Sequence, residues 1–175
     1  MARYIVFLRG INVSGQRKIK MADLKTSLEK SDFENVLTYI QSGNIIVEAD
    51  KTVKQALAGK ISKIILDDFG FEVPALVFLA EEIEAVLKEV PFQNIERKNL
   101  YFTLLFEKPN QELVNAFNKT QFENEDFQVR EQCVYLNCKK GAGKAKLNNN
   151  LIEKRLGVIA TTRNLNTMKK MLELG

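Results

Sequence analysis

An α+β architecture of two ferredoxin-like βαββαβ halves, with a linking helix between them and an extra helix at the C-terminus, is what this 175-residue sequence predicts. Two observations carry that prediction. Apolar runs with strand character and apolar residues at helical spacing alternate in the order β-α-β-β-α-β, and the same order then returns. No Gly/Ser/Pro linker or low-complexity tract interrupts the chain, so the halves, residues 1–80 and 81–175, are expected to pack directly on one another.

In the first half, residues 4–9 (YIVFLR) read as a strand buried on both faces, followed by a polar, glycine-containing loop over 10–20. Met21, Leu24 and Leu28 mark a helix. Two strands, 36–41 and 44–48, flank Ser42-Gly43 as a hairpin. Asp50 is placed to cap a helix whose apolar line is Val53, Leu57, Ile61 and Ile64, with Gly70 ending it. Residues 72–79 form the fourth strand, and Pro74 suggests an edge position or a bulge. Ile83, Val86, Leu87 and Val90 then define the linking helix, stopped by Pro91.

In the second half, 100–106 is a strand and Pro109 opens a helix that buries Leu113 and Phe117. Residues 127–130 and 134–138 form a hairpin around Gln132. Leu147, Leu151 and Leu156 line the next helix, which Gly157 ends, and 158–162 is the closing strand. Asn164 is a cap for the last helix, marked by Leu165, Met168 and Leu172. First strands that are apolar on both faces imply a second covered face, supplied by the other half or by another subunit.

Composition narrows the chemistry. With no histidine, histidine general-base catalysis and Ser-His or Cys-His pairs are excluded, and no spacing suggests a metal site. Cys133 and Cys138 are too few for a disulfide scaffold and read as small hydrophobes. The first apolar run is too short for a signal peptide, and no stretch has the length of a membrane span. A soluble cytoplasmic protein with no membrane partner is therefore expected. The formal net charge is +4, unevenly spread: residues 1–20 carry five bases and no acid, and residues 139–170 carry nine bases and one acid. These two segments flank an acidic middle, a pattern that suits an anionic ligand.

Three clusters are candidate anion contacts. The loop after the first strand offers Arg9, Asn12, Ser14, Gly15 and Lys18, where an arginine can grip a phosphate or carboxylate with two parallel bonds. The segment Lys139-Lys140-Gly141-Ala142-Gly143-Lys144-Ala145-Lys146 precedes a predicted helix, although Ala145 stands where a phosphate-binding loop of the Walker type needs Ser or Thr. Arg163, Asn164 and Thr167 begin the last helix. The ligand-binding set expected from the sequence is thus Arg9, Asn12, Lys18, Lys144, Arg163 and Asn164, meeting in a basic cleft between the halves. Each cluster also has a plain structural reading: a self-satisfied loop, a basic turn and a helix cap. No catalytic residue and no cofactor is identified.

Leu8–Val13 (LRGINV), Lys20–Lys25 (KMADLK), Thr38–Ile45 (TYIQSGNI), Lys154–Val158 (KRLGV) and Thr161–Thr167 (TTRNLNT) resemble motifs of the bacterial family named domain of unknown function 1697. The resemblance runs over essentially the whole chain and implies a two-part α+β fold of ferredoxin-like units, with no established activity. This sequence departs from the family at Ser14, Ala145 and Leu165, where the family typically has glycine, serine and tryptophan.

The leading reading is a binding protein for a phosphorylated or other anionic small molecule. Single-stranded nucleic-acid binding on an open sheet is an alternative, but it needs exposed aromatics on the middle strands. Residues 44–48 have none and the second half offers only Tyr135. A histidine-independent enzyme using Arg, Lys and Tyr39 or Tyr101, and a scaffold acting through oligomer contacts, complete the alternatives.

Overall fold

A computed structural model describes residues 1–175 and divides them into two compact units, Met1–Ala85 with Lys170–Gly175, and Val86–Lys169. The first unit runs β1 (Ala2–Leu8), α1 (Met21–Glu29), β2 (Glu34–Tyr39), β3 (Asn44–Ala49), α2 (Lys54–Phe69) and β4 (Ala75–Phe78), and α3 (Ala80–Lys88) follows. The second runs β5 (Leu100–Leu105), α4 (Gln111–Asn118), β6 (Glu125–Arg130), β7 (Cys133–Cys138), α5 (Asn149–Leu156) and β8 (Ala160–Asn164), and α6 (Leu165–Leu174) ends the chain. Both sheets are antiparallel with the ferredoxin-like order, β2-β3-β1-β4 and β6-β7-β5-β8.

In the first unit, alternate residues of the central strands (Tyr4, Val6, Leu8, Ile45, Val47) pack with Leu24, Leu28, Leu57, Ile61 and Ile65 from the two helices. The other sheet face is buried as well: Ile5, Phe7, Ile46 and Phe78 are inaccessible, and Phe7 meets Phe78 edge-on. The C-terminal residue of the chain lies against it, since a Cβ on Gly175 would fall 2.6 Å from Ile5 Cδ1. In the second unit Leu105, Val134, Leu136 and Cys138 pack with Val114, Phe117, Ile152 and Leu156. Phe102 and Tyr135 are buried on its opposite face, and the Tyr135 hydroxyl donates to the Val86 carbonyl (2.9 Å). The doubly apolar strands read in the sequence therefore do have two covered faces.

Several local expectations shift by a residue or two. The long helix begins at Lys54, with Val53 at its N-cap and no side-chain cap, so Asp50 does not serve there; its buried line is Leu57, Ile61 and Ile65. Pro109 precedes the cap of α4, whose Asn110 side chain accepts from the Glu112 amide (2.8 Å). Val114, not the exposed Leu113, joins Phe117 in the core. Leu147 is buried but lies outside α5, which Asn148 caps by accepting from the Leu151 amide (2.9 Å). At α4 and α5 a short polar side chain won the helix start, because its oxygen satisfies an amide that no apolar residue can. Pro74 does sit beside an edge strand, β4, as its missing amide requires.

Gly43 makes the hairpin corner possible. It has φ +78°, and a Cβ there would lie 2.6 Å from Leu8 Cβ. Both the backbone angle and the approach of β1 demand a residue without a side chain. Gly43→Ala is expected to destabilise the first unit by about 3 kcal/mol, combining overpacking with a strained left-handed residue, read from urea unfolding of the full chain. A loss under about 1 kcal/mol would show that β1 can yield.

Candidate functional site

Residues 9–20 begin where β1 ends, and the core dictates their course. Ile11 and Ile19 are buried, so the chain between them must loop outward and return. Asn12 ties that loop together from inside. Its amide nitrogen donates to the carbonyls of Ile19 (2.9 Å) and Gln41 (2.7 Å), and its oxygen accepts from the Ile19 amide (2.9 Å). A second tie runs from the Leu8 amide to the Gly43 carbonyl (2.8 Å). Two of the motif segments, LRGINV and TYIQSGNI, are thus bonded to each other. Asn44, fully buried, completes the corner by donating to the Tyr39 carbonyl and the Ser42 hydroxyl (both 2.9 Å). Asn12 is therefore a structural tie, with all three of these bonds inside the protein.

Outside this tie the loop displays its charge. Arg17, Lys18 and Lys20 are exposed and form no ion pair with a carboxylate. Arg17 folds back over the main chain, since a Cβ on Gly10 would lie 3.5 Å from Arg17 Nη1; Lys18 Cε stands 3.9 Å from the same position on Gly15. Asn12, Ser14 and Arg17 have positive φ (54°, 51° and 47°), along with Gly10 and Gly15. α1 then starts at Met21 with Lys20 at its N-cap and no side-chain cap. Arg9 is half-buried, and its amide donates to the Pro74 carbonyl (3.0 Å). The sequence reading passed over Arg17 as a site residue, although it lies in the same acid-free segment.

The second unit treats its candidates differently. Residues 142–144 form a single 3₁₀ turn, and α5 starts only at Asn149, so Lys144 is not at a helix N-terminus. The Glu125 carboxylate, buried, accepts from the amides of Lys146 (2.9 Å) and Leu147 (3.2 Å). An internal carboxylate thus holds amides that the sequence reading offered to a ligand. Lys144 itself is exposed and unpaired. Arg163 lies in β8 opposite Phe102 and is only 7% exposed. It donates to the Thr161 hydroxyl (2.7 Å) and the Thr162 carbonyl (2.9 Å), and burial lowers its pKa to about 10. Asn164 caps α6 by accepting from the Thr167 amide (2.8 Å), as the sequence indicated. Arg9, Asn12 and Lys18 therefore fall in the first unit, and Lys144, Arg163 and Asn164 in the second.

The middle-strand aromatics do not form a base-stacking platform. Phe102 and Tyr135 meet edge-on (5.7 Å) but are buried, so no nucleobase reaches their faces. The cysteines are free and buried, and burial raises both thiols, Cys138 to about 11. No group of metal-binding side chains is present, and no helix is long and apolar enough to cross a membrane.

Two four-stranded antiparallel sheets with paired helices define a tandem of ferredoxin-like units carrying a basic loop after the first strand. The chain belongs to the family described as protein of unknown function (DUF1697), whose model matches residues 1–135. Its fold is similar to a solved structure, the conserved bacterial protein SP0830 from Streptococcus pneumoniae, at a TM-score of 0.73 and 22% identity, over 98% of this chain and 97% of that one. No curated protein matches it.

Asn12→Ala should loosen the loop by removing three side-chain bonds, lowering stability by about 2 kcal/mol in urea unfolding. Amide exchange at Ile19 should accelerate in parallel, and an unchanged rate there would show that the tie is dispensable. The thiols give a pH test. An unfolded cysteine loses its proton near the ordinary thiol value of 9.0, whereas burial makes Cys138 keep its proton to about 11. Stability should therefore be insensitive to these groups below pH 9 and fall between pH 9 and 11, a decline that Cys138→Ala reduces.

Proposed function

We propose that this protein binds a phosphorylated or otherwise anionic small molecule, and that the β1–α1 loop of the first unit is the contact surface. The observation that carries the reading is the state of Arg17, Lys18 and Lys20: three exposed cations without carboxylate partners, on a loop whose course Asn12 holds. Cations crowded on a braced loop repel one another, and an anion relieves that repulsion without the loop having to order first. The uncapped start of α1 adds a positive dipole end to the same region. Arg17 supplies planar, two-pronged contacts; Lys18 and Lys20 act as mobile point charges. Arg9 stands where this loop leaves the sheet and belongs to the same proposal. Arg163, buried in a strand, and Asn164, which caps α6, stand outside this proposal.

The test is a thermal-shift series on the full chain with pyrophosphate, nucleoside phosphates, sugar phosphates and carboxylate metabolites at about 50 mM salt. A ligand at a hundredfold excess over its dissociation constant should raise the melting temperature by roughly 5–10 °C. The shift should shrink at 0.5 M salt and largely vanish in Arg17→Ala/Lys18→Ala, because exposed charge pairs are strongly screened. Failure of every anion to stabilise the protein, or an undiminished shift in the double variant, overturns the reading.

A further inference from the structure

The second unit carries fourteen bases and nine acids, and residues 139–155 alone hold six of the bases and one of the acids. The whole positive excess of the unit therefore comes from that stretch, and the remainder balances. The loop over 139–147 is pinned at both ends to the start of β6. At one end the Lys139 amide donates to the Asn124 carbonyl (3.0 Å), and at the other the amides of Lys146 and Leu147 donate to Glu125. Four lysines, Lys139, Lys140, Lys144 and Lys146, are thereby crowded on one short loop. Only Lys139 is paired, with Asp126 at 3.1 Å. Gly141 and Gly143 leave open space where side chains would stand, so a ligand can approach the main chain.

A cavity of about 390 Å³ opens beside the same anchor residues, lined by Asn118, Thr120, Gln121, Phe122, Phe127 and the two acids Glu125 and Asp126. It lies at the outer edge of the sheet, since β6 is an edge strand. Phe127 stacks on Phe117 (4.4 Å) and holds Phe122 edge-on (6.0 Å), so Phe122 is a braced, partly buried ring. The acids are largely neutralised: Glu125 by two amides, Asp126 by Lys139 and the Asn137 amide group (3.0 Å). Asp126 is exposed and remains an acceptor for an exocyclic amine.

We propose that this edge binds an unpaired nucleotide, with the base in the cavity against Phe122 and the phosphate on the lysine loop. The two observations are independent and complementary. A partly buried aromatic ring with amide, hydroxyl and carboxylate groups around it matches the flat face and polar rim of a base. Lysines on the loop anchored to the cavity's Glu125 and Asp126 supply the charge that a phosphate needs, without sequence readout. The nucleotide is either free or one residue of a single strand. This site lies in the second unit and the β1–α1 loop in the first, and the two rest on different residues, so either proposal can fail alone.

Fluorescence anisotropy of the full chain with a labelled 12-nucleotide single strand, RNA or DNA, tests this between 50 and 300 mM salt, with AMP, GMP, CMP and UMP as competitors. Binding should weaken about tenfold in Phe122→Leu, which keeps apolar bulk but removes the stacking face. Lys140→Ala/Lys144→Ala/Lys146→Ala should lower affinity at least tenfold and flatten the salt slope by about 2, at roughly 0.7 per lost phosphate contact. Circular-dichroism melting checks that both variants fold. Competition by a mononucleotide at micromolar concentration identifies the free nucleotide as ligand; competition only by strands identifies the polymer. The proposal is overturned if Phe122→Leu, folded, binds as the parent does, or if Arg17→Ala/Lys18→Ala abolishes strand binding while the lysine variant does not. Stabilisation by glucose 6-phosphate through Phe122, with none by any nucleotide, overturns it too.

Discussion

The close approach of Leu8 to Gly43 organises the first unit. β1 is the central strand that pairs with both β3 and β4, and its end must turn away just where the β2–β3 corner comes in. Only a residue lacking a side chain lets the Leu8 amide reach the Gly43 carbonyl. Asn12 then spans the remaining gap to Gln41, and the polar loop is held to the sheet at two points. The basic residues project from a loop whose shape is set before any ligand arrives. The motif segments that mark the family are thus joined by bonds that build the fold, which explains their spacing without assigning them chemistry.

The second unit repeats the topology but resolves the equivalent demands differently. Where the first unit holds its loop with a neutral side-chain amide, the second uses a buried carboxylate, Glu125, to accept two backbone amides. A buried carboxylate stabilises the turn by taking its inward-facing amides, and the loop's lysines are left exposed. Duplication of element order has therefore not duplicated the placement of the exposed cations. One unit places its cations after its first strand, and the other places them after its third.

How much was legible beforehand depended on the kind of signal. The order of elements, the hairpin around Gly43, the αL ends at Gly70 and Gly157 and the Asn164 cap were readable because each rests on local chemistry. Helix phase failed at Leu113 against Val114 because two neighbouring apolar residues satisfied the same period, and the helix start failed at Asp50 because α2 begins at Lys54 with no side-chain cap. Among site residues, Lys18 is exposed while Arg163 lies buried within a strand, and a basic residue at a helix start looks identical in sequence to one buried beside threonines.

The sequence by itself determined the class of fold, the exclusion of histidine chemistry and the two segments where positive charge accumulates, since periodicity, composition and charge are properties of the string. Only the tertiary structure decided which of those charges face outward. Pairing and burial arise between residues far apart in the chain: Asn12 with Gln41, Glu125 with Leu147, Tyr135 with Val86. A buried aromatic and a stacking platform share one sequence pattern, and solvent access, a property of the folded surface, separates them.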